Sequence, residues 1–264
     1  MDEQTLRNLL NLESEKSIGK IQIFDEIDST NSESLRQIQS GNIENRVVVA
    51  SSQTAGRGRR GRQWLSPKNA GIYLSLTRRF SMEANALQAL SLVTAISVVE
   101  ALYQLGAQGL QLKWPNDVLF EKKKLAGILL ELQHKENSRF VVFGIGVNIE
   151  LPADLLDSID RPVTDLDSIM NEPPCRVILL AALLNQLCRN LEKYEGSGFS
   201  SFEERWNGLD CYRMNDIEIQ NGKSRLIGKS LGVDSDGSLL LQTPKGIQLI
   251  NGGEVFPSLY PLSE

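Results

Sequence analysis

Between Gly56 and Trp64 the sequence reads Gly-Arg-Gly-Arg-Arg-Gly-Arg-Gln-Trp, four arginines and three glycines within nine residues. A guanidinium is a fixed, always-charged fork that matches phosphate or carboxylate oxygens. Glycine lets the backbone take φ > 0 and approach a ligand closely. Four such charges cannot enter a core without partners, so the segment reads as a loop that orders around an anion. It ends in Trp64, a flat apolar surface fit to stack on a base. No Gly-Lys-Ser/Thr follows, which excludes a Walker A loop. Most arginine-rich stretches are solvated charge runs or RGG-like nucleic-acid segments. This one lies between two apolar runs, which argues against both.

Two further groups carry chemistry. In Lys113-Trp114-Pro115-Asn116-Asp117 the Pro-Asn-Asp part is ordinary turn chemistry. Lys113 adds a phosphate contact, Asn116 a hydrogen-bonding amide, and Asp117 a carboxylate fit to hold a Mg²⁺ that bridges phosphate oxygens. Lys124 opens the run Lys124-Leu125-Ala126-Gly127. A lone lysine there is usually a snorkelling surface residue, but small Ala126 and Gly127 leave room for a ligand against a strand. His134 stands alone, and Cys175, Cys188 and Cys211 are far apart. They spell neither a zinc site nor a disulfide framework. Reduced thiols in a cytoplasmic protein are expected.

The elements that must position these groups are visible as patterns. Residues 4–11 allow a short amphipathic helix, residues 21–24 a strand, and Ser29-Thr30-Asn31 a helix start rich in N-cap residues. The β-branched run at 46–50 feeds a strand into the Gly/Arg loop, and 71–76 continues beyond it. Leu87, Leu90, Val93 and Ile96 recur at helical spacing, with Gly106 as C-cap. Strand-like runs follow at 110–113, 124–132 and 140–147, the first two joined by a turn, then a long helix at 176–194. From Asp210 onward, short strands with Asn221-Gly222 and Asp236-Gly237 turns indicate a small β-barrel. The boundary falls near Gly208, dividing the chain into units 1–208 and 209–264. With 264 residues, 41% hydrophobic and 23% charged, the chain has the composition of a soluble globular protein. A general nucleic-acid binder would be basic over a whole domain, whereas net charge here is −5. The N-terminus shows no secretory pattern, and polar residues interrupt the longest apolar runs, which read as buried helices rather than membrane spans.

Taken together, Asp28-Ser29-Thr30-Asn31, Gln53 through Trp64, Lys113 through Asp117, Lys124 through Gly127 and Gly144-Ile145-Gly146-Val147-Asn148 resemble the biotin–protein ligases in order and spacing. The resemblance runs from about residue 20 to the end. It implies an α/β (α+β) fold: a mixed central sheet with packed helices, class II synthetase-like, followed by a small C-terminal SH3-like β-barrel. It also implies a two-step reaction, in which biotin and ATP give biotinyl-5′-AMP and a lysine of a biotin carboxyl carrier protein or domain then takes the biotin. By position, Ser29, Thr30, Asn31 and Gln53 would bind the biotin head group, and Gly56, Arg57, Gly58 and Arg59 would close over it and retain the adenylate. Lys124, with Arg57, would act catalytically near the carboxylate and the reacting phosphate, with Gly127 beneath the ligand. Arg59, Arg60, Arg62, Trp64, Lys113, Asn116, Asp117 and Asn148 would form the ATP end, Trp64 beside adenine and Asp117 at Mg²⁺.

About twenty residues precede the first strand, too few for the winged helix-turn-helix that some relatives carry. A DNA partner is therefore not expected, and the interrupted apolar runs give no reason to expect a membrane one. An exposed sheet edge leaves a homodimer open. The rival readings are a lipoate–protein ligase-like acyl transferase and, from another class, a nucleic-acid-binding module.

Overall fold

A computed structural model of the chain describes residues 2–81, 87, 89–135, 138–159, 161–221 and 224–256. Two short helices, α1 (Glu3–Arg7) and α2 (Leu12–Ser17), open it. The sequence pattern suggests only one helix here; Asn11 caps the second by accepting from Ser14 N. Seven strands then build one sheet: β1 (Lys20–Ile27), β2 (Arg46–Gln53), β3 (Gly71–Phe80), β4 (Leu110–Lys113), β5 (Asp117–Phe120), β6 (Lys123–Lys135) and β7 (Ser138–Asn148). Their order is β1-β2-β3-β7-β6-β5-β4, with β1 and β2 parallel and the other neighbours antiparallel. The mixed sheet with packed helices agrees with the expected α/β class.

Where the sequence pattern suggests only a turn and a basic linker, strand β5 forms. The tight connection to β6 places Glu121 and Lys122 at φ 48° and 62°. Glycine or asparagine is the usual signal for such a turn, and neither is present.

Helix α3 (Thr30–Gln39) lies on one face of the sheet, α4 (Leu90–Gln104) and α6 (Arg176–Ser197) on the other. Strand β7 shows the division, because successive side chains point to opposite faces. Val141, Phe143, Ile145 and Val147 enter the main core, while Phe140 and Val142 pack with Ile38 and Leu35 of α3. On that second face the apolar row ends and Gly144 and Gly146 take its place. Helix α4 is buried nearly all round, as its largely apolar composition requires. No helix among the described residues is long and apolar enough to cross a membrane.

Helices α5 (Ala153–Ser158) and α7 (Glu203–Leu209) complete the helical set. The tail forms a second, antiparallel sheet of β8 (Asp216–Asn221), β9 (Ser224–Val233), β10 (Leu239–Thr243), β11 (Gly246–Ile250) and β12 (Glu254–Phe256). Its order is β11-β10-β9-β8-β12, and among the described residues no pairing joins the two ends. Of the expected Asn221-Gly222 turn, Gly222 lies outside the described residues, as do residues 257–264.

The tail is tied to the first sheet. Cys211 N donates to Leu112 O at 3.0 Å, and Gly237, at φ 82°, lies against Ala89 and Leu92, where a Cβ would come within 2.8 and 2.9 Å. Trp114 Nε1 donates to Gly237 O at 3.3 Å. Ile217, Ile219, Leu239 and Leu241 belong to the same apolar core as α4 and α6.

Candidate active site

The N-terminus of α3 forms one wall. Ser29 caps the helix, its Oγ accepting from Ser32 N at 3.4 Å. Thr30 donates to Gln53 Oε1 through its amide at 2.8 Å and its hydroxyl at 3.2 Å. Ser75 Oγ donates to Asn31 Oδ1 at 2.6 Å and lies 2.8 Å from Thr30 Oγ1. A Cβ at Gly144 would overlap the Asn31 amide, so only glycine lets α3 sit this close to β7.

The floor is a pair of facing glycines. Gly127 of β6 pairs with Gly146 of β7, and the indole of Trp64 lies on both. A Cβ at Gly146 would overlap the ring, and one at Gly127 would come within 2.9 Å of it. Lys124 Nζ sits 5.4 Å from the ring centroid, at cation–π distance.

The position of Lys124 depends on an irregularity. Val118 pairs with Ala126, but Leu119 pairs with Lys124, so Leu125 is an extra residue in β6. Such a bulge re-aims side chains. Without it Lys124, three residues from Gly127, would face the other side of the strand. With it the lysine Cε comes within 3.0 Å of where a Gly127 Cβ would be.

The arginine segment is a small hairpin. Arg57 bridges Gln63, Trp64 N donates to Gly56 O at 2.9 Å, and Gly58 N donates to Arg62 O at 2.7 Å. Its glycines act differently. Gly56 passes so close to Trp64 O that a Cβ would overlap it, whereas Gly61 turns the tip at φ 74° beside Arg60 at φ 57°. The fold also supplies protein partners that the sequence did not reveal. Arg57 Nη2 donates to Glu131 Oε2 at 2.5 Å. Arg62 is bidentate on Glu254 at 2.7 and 2.9 Å, and Arg60 reaches the same carboxylate at 3.0 Å. Arg59 donates to Asn116 Oδ1 at 3.0 Å and Gly253 O at 3.3 Å. Burial pushes the Glu254 carboxyl up, but Arg62 and Arg60 outweigh it and hold it below its ordinary value.

Lys113 and Asp117 flank the turn at the end of β4. Lys113 is 4% exposed, and burial pulls its ammonium below the ordinary lysine value while Asp117 works the other way. Asp117 Oδ1 lies 2.5 Å from Lys124 Nζ without hydrogen-bond geometry and has no hydrogen-bond partner among the described residues. A buried carboxylate oxygen so placed fits a cation that arrives with phosphates. No group of three His, Cys, Asp or Glu among the described residues could hold an ion by itself.

Ser29, Thr30, Asn31, Gln53, Arg57, Gly58, Arg59, Arg60, Arg62, Trp64, Lys113, Asn116, Asp117, Lys124 and Gly127 all line one cavity. Two expected residues do not. Gly56 shapes the root of the hairpin, and Asn148 donates to Thr164 O at 2.9 Å and Lys124 O at 3.4 Å, bracing the start of β6. The cavity also takes Gly144, Gly146, Tyr73, Arg161 and Glu254. Two glycines spaced i, i+2 on one strand face were a readable sign of close approach; nothing in Gly252-Gly253-Glu254 pointed to an arginine partner.

Comparison with known proteins converges on one family. The Biotin/lipoate A/B protein ligase family matches residues 23–148, and the Biotin protein ligase C terminal domain matches residues 223–256. The chain is 35% identical to the bifunctional ligase/repressor BirA of Salmonella typhimurium, over 92% of this chain and 76% of that protein. It is also 35% identical to the biotin–[acetyl-CoA-carboxylase] ligase of Paracoccus denitrificans, over 87% of this chain and 97% of that one. The biotin protein ligase of Aquifex aeolicus, solved with biotin and ATP, matches with a TM-score of 0.77 at 32% identity, covering 90% of this chain and 98% of that chain. The chain belongs to the biotin protein ligase family. For a biotin protein ligase, the cavity described above brings the hydrogen-bonding cluster of α3, the arginine hairpin and the Lys124–Asp117 pair to one place.

Proposed function

We propose that this chain is an ATP-dependent biotin–[biotin carboxyl carrier protein] ligase, acting in the cytoplasm on the acceptor domain of a biotin-dependent carboxylase. The observation that carries the reading is the convergence of Arg57, Arg59, Arg60, Arg62, Lys113 and Lys124 on one cavity with a glycine floor. In the first step the biotin carboxylate attacks the α-phosphorus of ATP, forming the mixed anhydride and expelling pyrophosphate. Both reactants are anions, so their approach needs dense positive charge aimed where charge develops. Lys124 supplies it beside the reacting carboxylate, Arg59, Arg60 and Arg62 along the phosphates, and Lys113 from beneath. Asp117 would hold Mg²⁺, which when bound would offset phosphate charge. In the second step the ε-amine of the acceptor lysine attacks the anhydride carbonyl, an amide forms and AMP leaves. No enzyme nucleophile is required.

Ser29, Thr30, Asn31 and Gln53 are assigned to the biotin head group. Trp64 is assigned to the floor of the cavity, where its plane can meet either ligand. Residues 1–208 are assigned as the catalytic unit and 209–264 as the small β unit of SH3-like type.

The test is pyrophosphate exchange into ATP by the purified chain, followed by label transfer to a biotin carboxyl carrier domain. Exchange should require biotin and be indifferent to lipoate. Exchange driven by lipoate, or none with biotin, would overturn the assignment.

A further inference from the structure

Glu131 lies on β6, beyond the stretch that β5 covers, and takes no part in the chemistry above. Its side chain is about a quarter exposed (24%). One oxygen, Oε2, accepts from two residues of different elements: Arg57 Nη2 at 2.5 Å and Asn31 Nδ2 at 2.8 Å. Both partners line the ligand cavity.

The carboxylate is acceptor-only, so it dictates which way the Asn31 amide faces. The amide nitrogen must turn to Glu131 and Leu129 O, which leaves Oδ1 to Ser75. From there the contacts continue through Thr30, Gln53 and Ser66 to Trp64 O. This series leaves the hairpin at Arg57 and rejoins it at Trp64. The α3 cluster and the hairpin root therefore share one polar network, in which Glu131 is the anionic member. A partly shielded, charge-assisted contact of this kind is stronger than an exposed ion pair.

We propose that Glu131 is a positioning residue for the ligation, holding Asn31 and Arg57 in the arrangement that receives biotin. The inference rests on the function assigned above. Glu131 acts through its two neighbours and touches neither substrate. The nucleotide end has its own anchors, Glu254 for Arg60 and Arg62 and Asn116 for Arg59, so the effect of Glu131 is confined to the biotin side.

The test compares wild type with Glu131→Gln in pyrophosphate exchange, varying biotin and ATP separately. Glutamine keeps the shape and removes the charge. Losing one charge-assisted contact should raise the KM for biotin about tenfold and leave the KM for ATP within about twofold. Trypsin, without ligand, should nick the hairpin faster in the variant at equal Tm. Arg57→Met should cost much less in the Glu131→Gln background than alone, because interacting residues are non-additive. An unchanged or lowered KM for biotin, a parallel rise in both KM values, or additive effects of the two substitutions would each overturn the proposal. Wild type inactive with biotin would instead remove the functional assignment itself.

Discussion

Lys124 and Gly146 show how single residues in this site depend on backbone detail. Lys124 reaches the cavity because Leu125 is extruded from the β5–β6 pairing, and its ammonium is the cation next to Asp117. Lys124→Ala removes a positive charge at the point where two anions meet. Adenylate formation should fall about 10²–10³-fold, the usual cost of deleting one preorganised electrostatic contact, as single-turnover measurement would show. At Gly146 the expected change is steric. An added methyl overlaps the Trp64 ring, so Gly146→Ala must displace the indole or bend β7. Overpacking of this kind costs about 1–3 kcal/mol, readable as a lower urea midpoint with an unchanged slope.

At the scale of elements, the arginine hairpin is docked from two sides, its root to Glu131 on β6 and its tip to Glu254 on β12. Like charges repel along the hairpin, and Glu254 offsets that repulsion for Arg60 and Arg62 together. Glu254→Gln should therefore loosen the tip. Trypsin at pH 8 should cut after Arg60 and Arg62 several-fold faster than in wild type, with ATP restoring part of the protection. Equal cleavage of the two proteins would show that Glu254 does not hold the tip. Because arginine contact holds the Glu254 carboxyl below its ordinary value, the docking is present above the ordinary glutamate range and is lost as pH falls through that lowered value.

For the whole molecule, the joint between the two sheets contains a partly buried carboxyl with an incomplete set of partners. Asp210 pairs with Leu112 of β4, accepts from Tyr212 N through Oδ1, and leaves Oδ2 without a hydrogen-bond partner among the described residues. Burial pushes its carboxyl up to about 6, with Tyr212 N and Arg213 opposing. The folded chain therefore takes up a proton between the ordinary aspartate value and pH 6, where the unfolded chain does not. Stability should fall as pH rises through that window and level off above it, a loss of about 3 kcal/mol from this group. Asp210→Asn keeps the acceptor for Tyr212 N and removes the charge. Urea denaturation at pH 5 and pH 8 should show the variant less sensitive to pH and more stable than wild type at pH 8. An unchanged pH dependence would contradict a desolvated carboxylate at the joint.

The sequence by itself determined the class of the fold and the chemical kind of site. Long-range order was not needed to see that β-branched runs alternate with amphipathic ones, that Ser29 opens a helix, or that four arginines between strands call for anions. Those features are local, set by propensity, capping and charge density within a few residues. What only tertiary structure decided depends on register and on distant partners. The bulge at Leu125 is a mismatch between two strands and cannot be read from either alone. The facing of Gly127 on Gly146 under Trp64 is a cross-strand relation. The pairing of Arg62 with Glu254 joins residues nearly two hundred positions apart, and a charge carries no record of its partner until the chain is folded. Asn148 belonged to a readable motif, yet its amide braces the backbone near Lys124 and does not line the cavity, because a motif records which residues occur together and not which way each one faces.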